Sequence, residues 1–73
     1  MTKALHVDEY NRFKERLKEA RLQSELTQVQ VAKKLGLPQS FVSKIESGER
    51  RVDAVELEKL AKIYGKSIRF FLK

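Results

Sequence analysis

Gln39, Ser40, Ser43, Lys44 and Ser47 lie within one nine-residue stretch. Val42 and Ile45 are interleaved with them, three positions apart. On a helix an apolar pair at that spacing marks the buried face, which leaves the polar set facing outward. Such a set offers hydrogen-bonding tips of long and short reach. A glutamine amide can pair with adenine N6 and N7 together, a lysine ammonium reaches guanine O6 and N7, and a serine hydroxyl works in either direction. Gln39, Ser40, Ser43 and Lys44 are therefore candidate base-reading residues. A plain solvated helix face would carry the same side chains, so the choice rests on the elements around them.

Those elements are legible upstream. Thr27 and Gln30 have the spacing of a capping box, which starts a helix. Val31, Ala32 and Leu35 give that helix a buried stripe, and Gly36 ends it as a residue free to take a positive φ. Only Leu37 and Pro38 separate it from a third helix over about 39–47, which stops at Gly48. So short a turn bends the two helices sharply, near the roughly 90–120° of a helix-turn-helix. The bend needs a small residue at the crossing, Ala32, and a left-handed residue at the exit, Gly36. Leu37 is expected to plug the gap under the turn, and Val42 and Ile45 to hold the third helix down.

Several neighbours suit a phosphate. Gln28 opens a helix whose free amides and positive dipole end favour an anion, with Thr27 beside it. Ser47 ends the third helix. Arg50 and Arg51 form a paired basic loop after it and could clamp a backbone phosphate. Lys33 and Lys34 lie on the outer side of the second helix and are weaker candidates. Phe41, beside Val42, is expected to point away from the second helix. It then packs on the edge of the third helix or touches a thymine methyl or the sugar-phosphate edge.

The remaining chain reads as scaffold. A first helix over about 9–23, capped by Asp8, buries Tyr10, Phe13, Leu17 and Ala20. A fourth starts from a second capping box, Asp53 and Glu56, with Val52 and Leu57 as its hydrophobic staple. Leu57, Leu60, Ala61 and Tyr64 form its inner face, and Gly65 ends it. Ser67 is placed to cap a fifth helix over about 68–72. Residues 1–7 read as an N-terminal arm and 8–73 as one domain. The expected fold is all-α, a compact five-helix bundle with a helix-turn-helix.

Composition narrows the functions available. The chain has 73 residues, no cysteine and one histidine, His6. Disulfides and thiolate zinc sites are excluded, and no cluster of metal ligands or glycine-rich phosphate cradle is visible. No cofactor, metal or catalysis is expected. The longest apolar run, Phe70-Phe71-Leu72, is far short of a membrane span. No apolar stretch follows Met1 as in a signal peptide, so a cytoplasmic location is expected. The net charge of +6 favours an anionic partner. Residues 8–25 balance five acids against five bases, so the excess lies after them, with +3 over 26–51 and +2 over 52–73.

The run from Thr27 to Gly48, with Thr27-Gln28, Ala32, Leu35-Gly36 and Gln39-Ser40-Phe41-Val42-Ser43-Lys44-Ile45-Glu46-Ser47-Gly48, resembles the helix-turn-helix of the lambda-repressor-like, xenobiotic-response-element (Cro/repressor) family. The similarity extends from Tyr10 through Leu57, Leu60-Ala61 and Ile68 to Leu72. It implies a transcriptional regulator that binds double-stranded DNA with its third helix in the major groove. It also implies that Gln28 bonds a phosphate and braces Gln39, and that Arg21 pairs with Glu46 to tie the third helix to the first.

One such domain covers only a half-site, so a homodimer on a two-fold symmetric operator is expected, with half-sites about 34 Å apart. Ile68, Phe71 and Leu72 are expected to turn inward together, leaving Phe70 exposed as the anchor of the dimer interface. Members of the family are often longer, and the end at Lys73 fits a fragment or a minimal regulator equally well. Two other readings stay open. One is an antitoxin-type module that caps a protein partner while binding its own operator. The other is a basic amphipathic membrane-surface helix, against which the glycines at 36, 48 and 65 count.

Overall fold

Thr27 and Asp53 each open a helix in the same way. The Thr27 hydroxyl accepts from the Gln30 amide at 3.1 Å, and the Gln30 side chain accepts from the Thr27 amide at 2.8 Å. Asp53 and Glu56 repeat the exchange at 2.8 and 3.0 Å. In the computed structural model, which describes residues 7–73, these boxes start the second and fourth of five helices. The order is α1 (Val7–Gln23), α2 (Gln28–Leu35), α3 (Gln39–Ser47), α4 (Ala54–Tyr64) and α5 (Ile68–Leu72).

The exits are as specific as the entries. At the end of α2, Gly36 takes φ +73° and donates to Lys33 O, while Leu37 N–H reaches back to Ala32 O. That doubly bonded termination needs a left-handed residue. Gly65 ends α4 in the same manner. The end of α1 uses the same bonds without a glycine: Glu25 sits at φ +58°, with its amide on Leu22 O and the Leu26 amide on Arg21 O.

Leu17, Val31, Val42, Ile45, Leu60 and Phe71 are the largest fully buried side chains. They come from all five helices, so one small core holds every element. Each contributes about 1.5–3 kcal/mol of apolar burial. Val52 and Leu57, the staple of α4, pack partly buried against this core.

Four expectations are corrected. Asp8 is not the cap of the first helix: α1 already begins at Val7, and Asp8 lies in its first turn, still at the favourable dipole end. Ser67 stands at the start of α5 but makes no side-chain cap bond. Leu37 does not plug the turn and is exposed, because the backbone bonds of Gly36 and Leu37 close it. The fourth correction concerns α5. Phe71 alone turns fully inward, meeting the Phe13 ring edge-on at 6.5 Å. Phe70 is half-buried, its ring covered by Lys66 Nζ at 4.7 Å and the Arg16 guanidinium at 5.7 Å. Ile68 and Leu72, one turn apart, are the exposed pair. A five-residue helix turns too little to bury three side chains at once. Most of the expected N-terminal arm, with His6, lies outside the described residues.

Candidate nucleic-acid interface

Helix α3 lies across α2 with Ala32 nearly fully buried at the bend. Val42 and Ile45 anchor it from beneath, and Phe41 joins them at 9% exposure. Residues 41, 42 and 45 make a wide inward stripe, since neighbouring residues on a helix sit about 100° apart and a core-facing stripe spans at least that. Phe41 is therefore corrected from a candidate DNA contact to a core residue. Its uncovered face carries the Arg50 guanidinium, 4.7 Å from the ring centre. Opposite this stripe, Gln39, Ser40, Ser43, Lys44 and Ser47 are all exposed.

The start of α3 is tied into the scaffold by a relay of side chains. Gln39 Nε2 donates to Gln28 Oε1 at 3.0 Å, and Gln28 Nε2 donates to Glu46 Oε1 at 3.1 Å. Glu46 in turn receives a forked pair of bonds from Arg21, Nε to Oε2 at 2.6 Å and Nη2 to Oε1 at 3.1 Å. The remaining arm of Arg21 donates to Leu26 O at 3.0 Å. Both ionised side chains are almost fully covered. The carboxylate bond pushes the Arg21 pKa further up, so this charge is permanent. The relay links α1, α2 and both ends of α3. It fixes the Gln39 side chain before any ligand arrives, leaving its amide oxygen and one N–H for another partner.

The loop after α3 behaves differently from its sequence expectation. Gly48 takes φ +90°, and a side chain there would crowd the Lys14 stem at 3.2 Å. Arg50 donates a forked pair to Glu56, at 2.8 and 2.9 Å, and a third bond to Arg51 O at 2.9 Å. Glu56 raises the Arg50 pKa and is itself held below the ordinary carboxylate range by that guanidinium. Arg50 thus acts as a latch, tying the α3–α4 loop to the first turn of α4 and roofing Phe41. Its charge is matched internally. Arg51 has no such acidic partner among the described residues; its guanidinium lies 4.1 Å from the Tyr10 ring centre. The Tyr10 hydroxyl accepts from Val52 N–H at 3.2 Å, which holds the loop against α1.

Sequence reasoning missed Glu56 in its second role, and also Lys18. Lys18 lines a polar notch with Arg21, Gln28, Ser43, Glu46 and Ser47. The signal was available: Lys14, Lys18 and Arg21 recur at i, i+4 and i+7 along one side of α1. Among the described residues no cluster of histidine, cysteine or carboxylates could hold a metal ion, and no helix is long and apolar enough to cross a membrane.

A family model described as HTH_3, helix-turn-helix, matches residues 17–71. No curated protein matches the chain. Among solved structures, an XRE-family like protein from Pseudomonas syringae pv. tomato str. DC3000 is 38% identical, with a TM-score of 0.85 over 93% of this chain and 83% of that one.

Proposed function

The chain belongs to the HTH_3 family, the XRE/Cro/C1-type helix-turn-helix DNA-binding domains with a lambda-repressor-like fold, and from that premise we propose that it is a sequence-specific transcriptional regulator reading double-stranded DNA with α3. The observation that carries this reading is the outward row of Gln39, Ser40 and Lys44, backed by buried Val42 and Ile45 and aligned by the Gln39–Gln28–Glu46–Arg21 relay. Gln39 pairs with an adenine edge and Lys44 with a guanine edge in the major groove. Gln28, Thr27 and the free amides at the start of α2 hold a backbone phosphate on one side, and Arg51 meets one on the other.

The regulator acts as a homodimer on a two-fold symmetric operator. A second copy docks on the α4–α5 surface, where Val55, Ile68 and Leu72 are exposed around hollows lined by no residue of α2 or α3. Exposed apolar side chains grouped in this way favour a partner, and a two-fold contact uses the same patch twice. Phe70, half-buried beneath two cations, flanks this interface.

Competition among single-base variants of a bound duplex tests the reading face. Gln39→Ala and Lys44→Ala each weaken the preferred duplex by about 1–3 kcal/mol and relax the choice at one base position. Full retention of base preference by both variants would remove α3 as the reader.

A further inference from the structure

Residues 59–73 hold five basic side chains and no acidic one. Three of the five, Lys66, Arg69 and Lys73, line a hollow of about 390 Å³ together with Phe70. Arg16 reaches the same ring from α1, its guanidinium 5.7 Å from the ring centre, and Lys66 Nζ stands 4.7 Å from it. Two cations from different elements thus share one half-buried aromatic ring.

The fold answers little of this charge. Arg69 and Lys73 have no hydrogen bond or ion pair among the described residues. They stand four apart at the chain's last helix, a spacing at which like charges repel. Arg16 has Glu19 at 3.4 Å, a long contact between part-exposed groups, and its Nε is closed off from solvent with no hydrogen-bond partner. One cation over a ring is favourable, but a second over the same ring repels the first. An anionic ligand relieves that repulsion.

The hollow is separate from the reading helix. None of its lining residues comes from α2 or α3, and it shares none with the apolar hollows beside Val55, Ile68 and Leu72. On α1, Lys14 packs beside Gly48 at the end of α3, and Lys18 borders the notch with Ser43 and Ser47. Arg16 lies two positions from each, about 200° round the helix, and so on the opposite side from α3. A duplex seated on α3 does not reach it. Nor is Phe70 a stacking platform for single-stranded nucleic acid, because Lys66 and Arg16 already stand over its ring. Carboxylates carried on a polypeptide fit better: arginine takes a carboxylate as a fork, and the stems of the long cations with Phe70 accept an apolar side chain between them.

We propose that the face formed by Arg16, Lys66, Arg69, Phe70 and Lys73 docks an acidic segment of a partner protein while α3 stays free for DNA. Carboxylates of that segment pair with Arg69 and Lys73, and an apolar side chain beside them lies against Phe70. The domain then joins two partners through opposite sides of α1, one anionic by its phosphates and the other by its carboxylates.

NMR titration of the full chain with a glutamate-rich peptide bearing one central leucine tests this, beside the same peptide with glutamine in place of glutamate. The glutamate peptide shifts the amide signals of residues 66–73 and the Arg16 Nε–H signal, and the glutamine peptide shifts neither. Arg69→Glu combined with Lys73→Glu weakens the glutamate peptide by about tenfold or more, since like charges then face each other. Lys44→Glu combined with Arg51→Glu, on the reading side, leaves the peptide affinity close to wild type. All four positions are exposed, and unchanged melting temperatures show that the variants fold. Shifts centred on α3 and the α3–α4 loop, equal losses from the two variant pairs, or no binding of the glutamate peptide would each overturn the proposal. So would a lower salt slope for duplex binding by the Arg69→Glu, Lys73→Glu variant, which would give this face to nucleic acid.

Discussion

Glu56 serves three donors with two oxygens: Arg50 twice and the Asp53 amide once. One carboxylate thereby closes a capping box and holds the loop that follows α3. The adjacent arginines consequently have different duties. Arg51 lacks an acidic partner among the described residues, and Arg51→Ala lowers the salt slope by about one on every sequence. Arg50→Ala leaves the slope close to wild type and instead lowers the melting temperature, because the Glu56 latch and the cover over Phe41 are lost together. A salt series with both variants checks this; equal losses of slope would place both arginines on phosphates. The order of the two could not be read from the sequence. Arg50-Arg51 is a symmetric dipeptide until the fold brings Glu56 six positions onward into reach.

Helix ends were the most readable part of the chain, because their chemistry is local. Thr27-Gln30, Asp53-Glu56, Gly36, Gly48 and Gly65 each announce a boundary within four residues of where it falls. One boundary escaped for the same reason in reverse: Glu25 exits α1 in a left-handed conformation that only the finished turn reveals. Tertiary placement was the other gap. Neither the inward position of Phe41 nor the outward positions of Ile68 and Leu72 follow from a helical period when the element is under three turns long. Two of the left-handed exits, Gly36 and Glu25, give opposite mutational outcomes. Gly36 has open space where a Cβ would stand, so Gly36→Ala costs only backbone strain, about 1 kcal/mol. Glu25→Gly relieves strain at the matching position of α1 and stabilises by about 0.5–1 kcal/mol after the glycine entropy cost. Thermal unfolding of the two variants measures this, and destabilisation by Glu25→Gly would show that its left-handed conformation is not strained.

At the scale of the molecule, one buried ion pair joins α1 to α3. Arg21 and Glu46 contribute little net stability as a pair, because desolvating both charges offsets their attraction. Their value is orientation, since the same carboxylate anchors Gln28 and through it Gln39. The domain is therefore a rigid presenter of one helix face, flanked by cations from α1 and from the α3–α4 loop. Three of its exposed apolar residues, Val55, Ile68 and Leu72, lie on α4 and α5. Such an arrangement suits two copies bound side by side on one face of a duplex. Selection of bound sites from a pool of random duplexes tests that design most directly. The expected result is enrichment of a two-fold symmetric sequence with half-site centres about one helical turn, roughly 34 Å, apart. Recovery of a pool with no enriched sequence would contradict it.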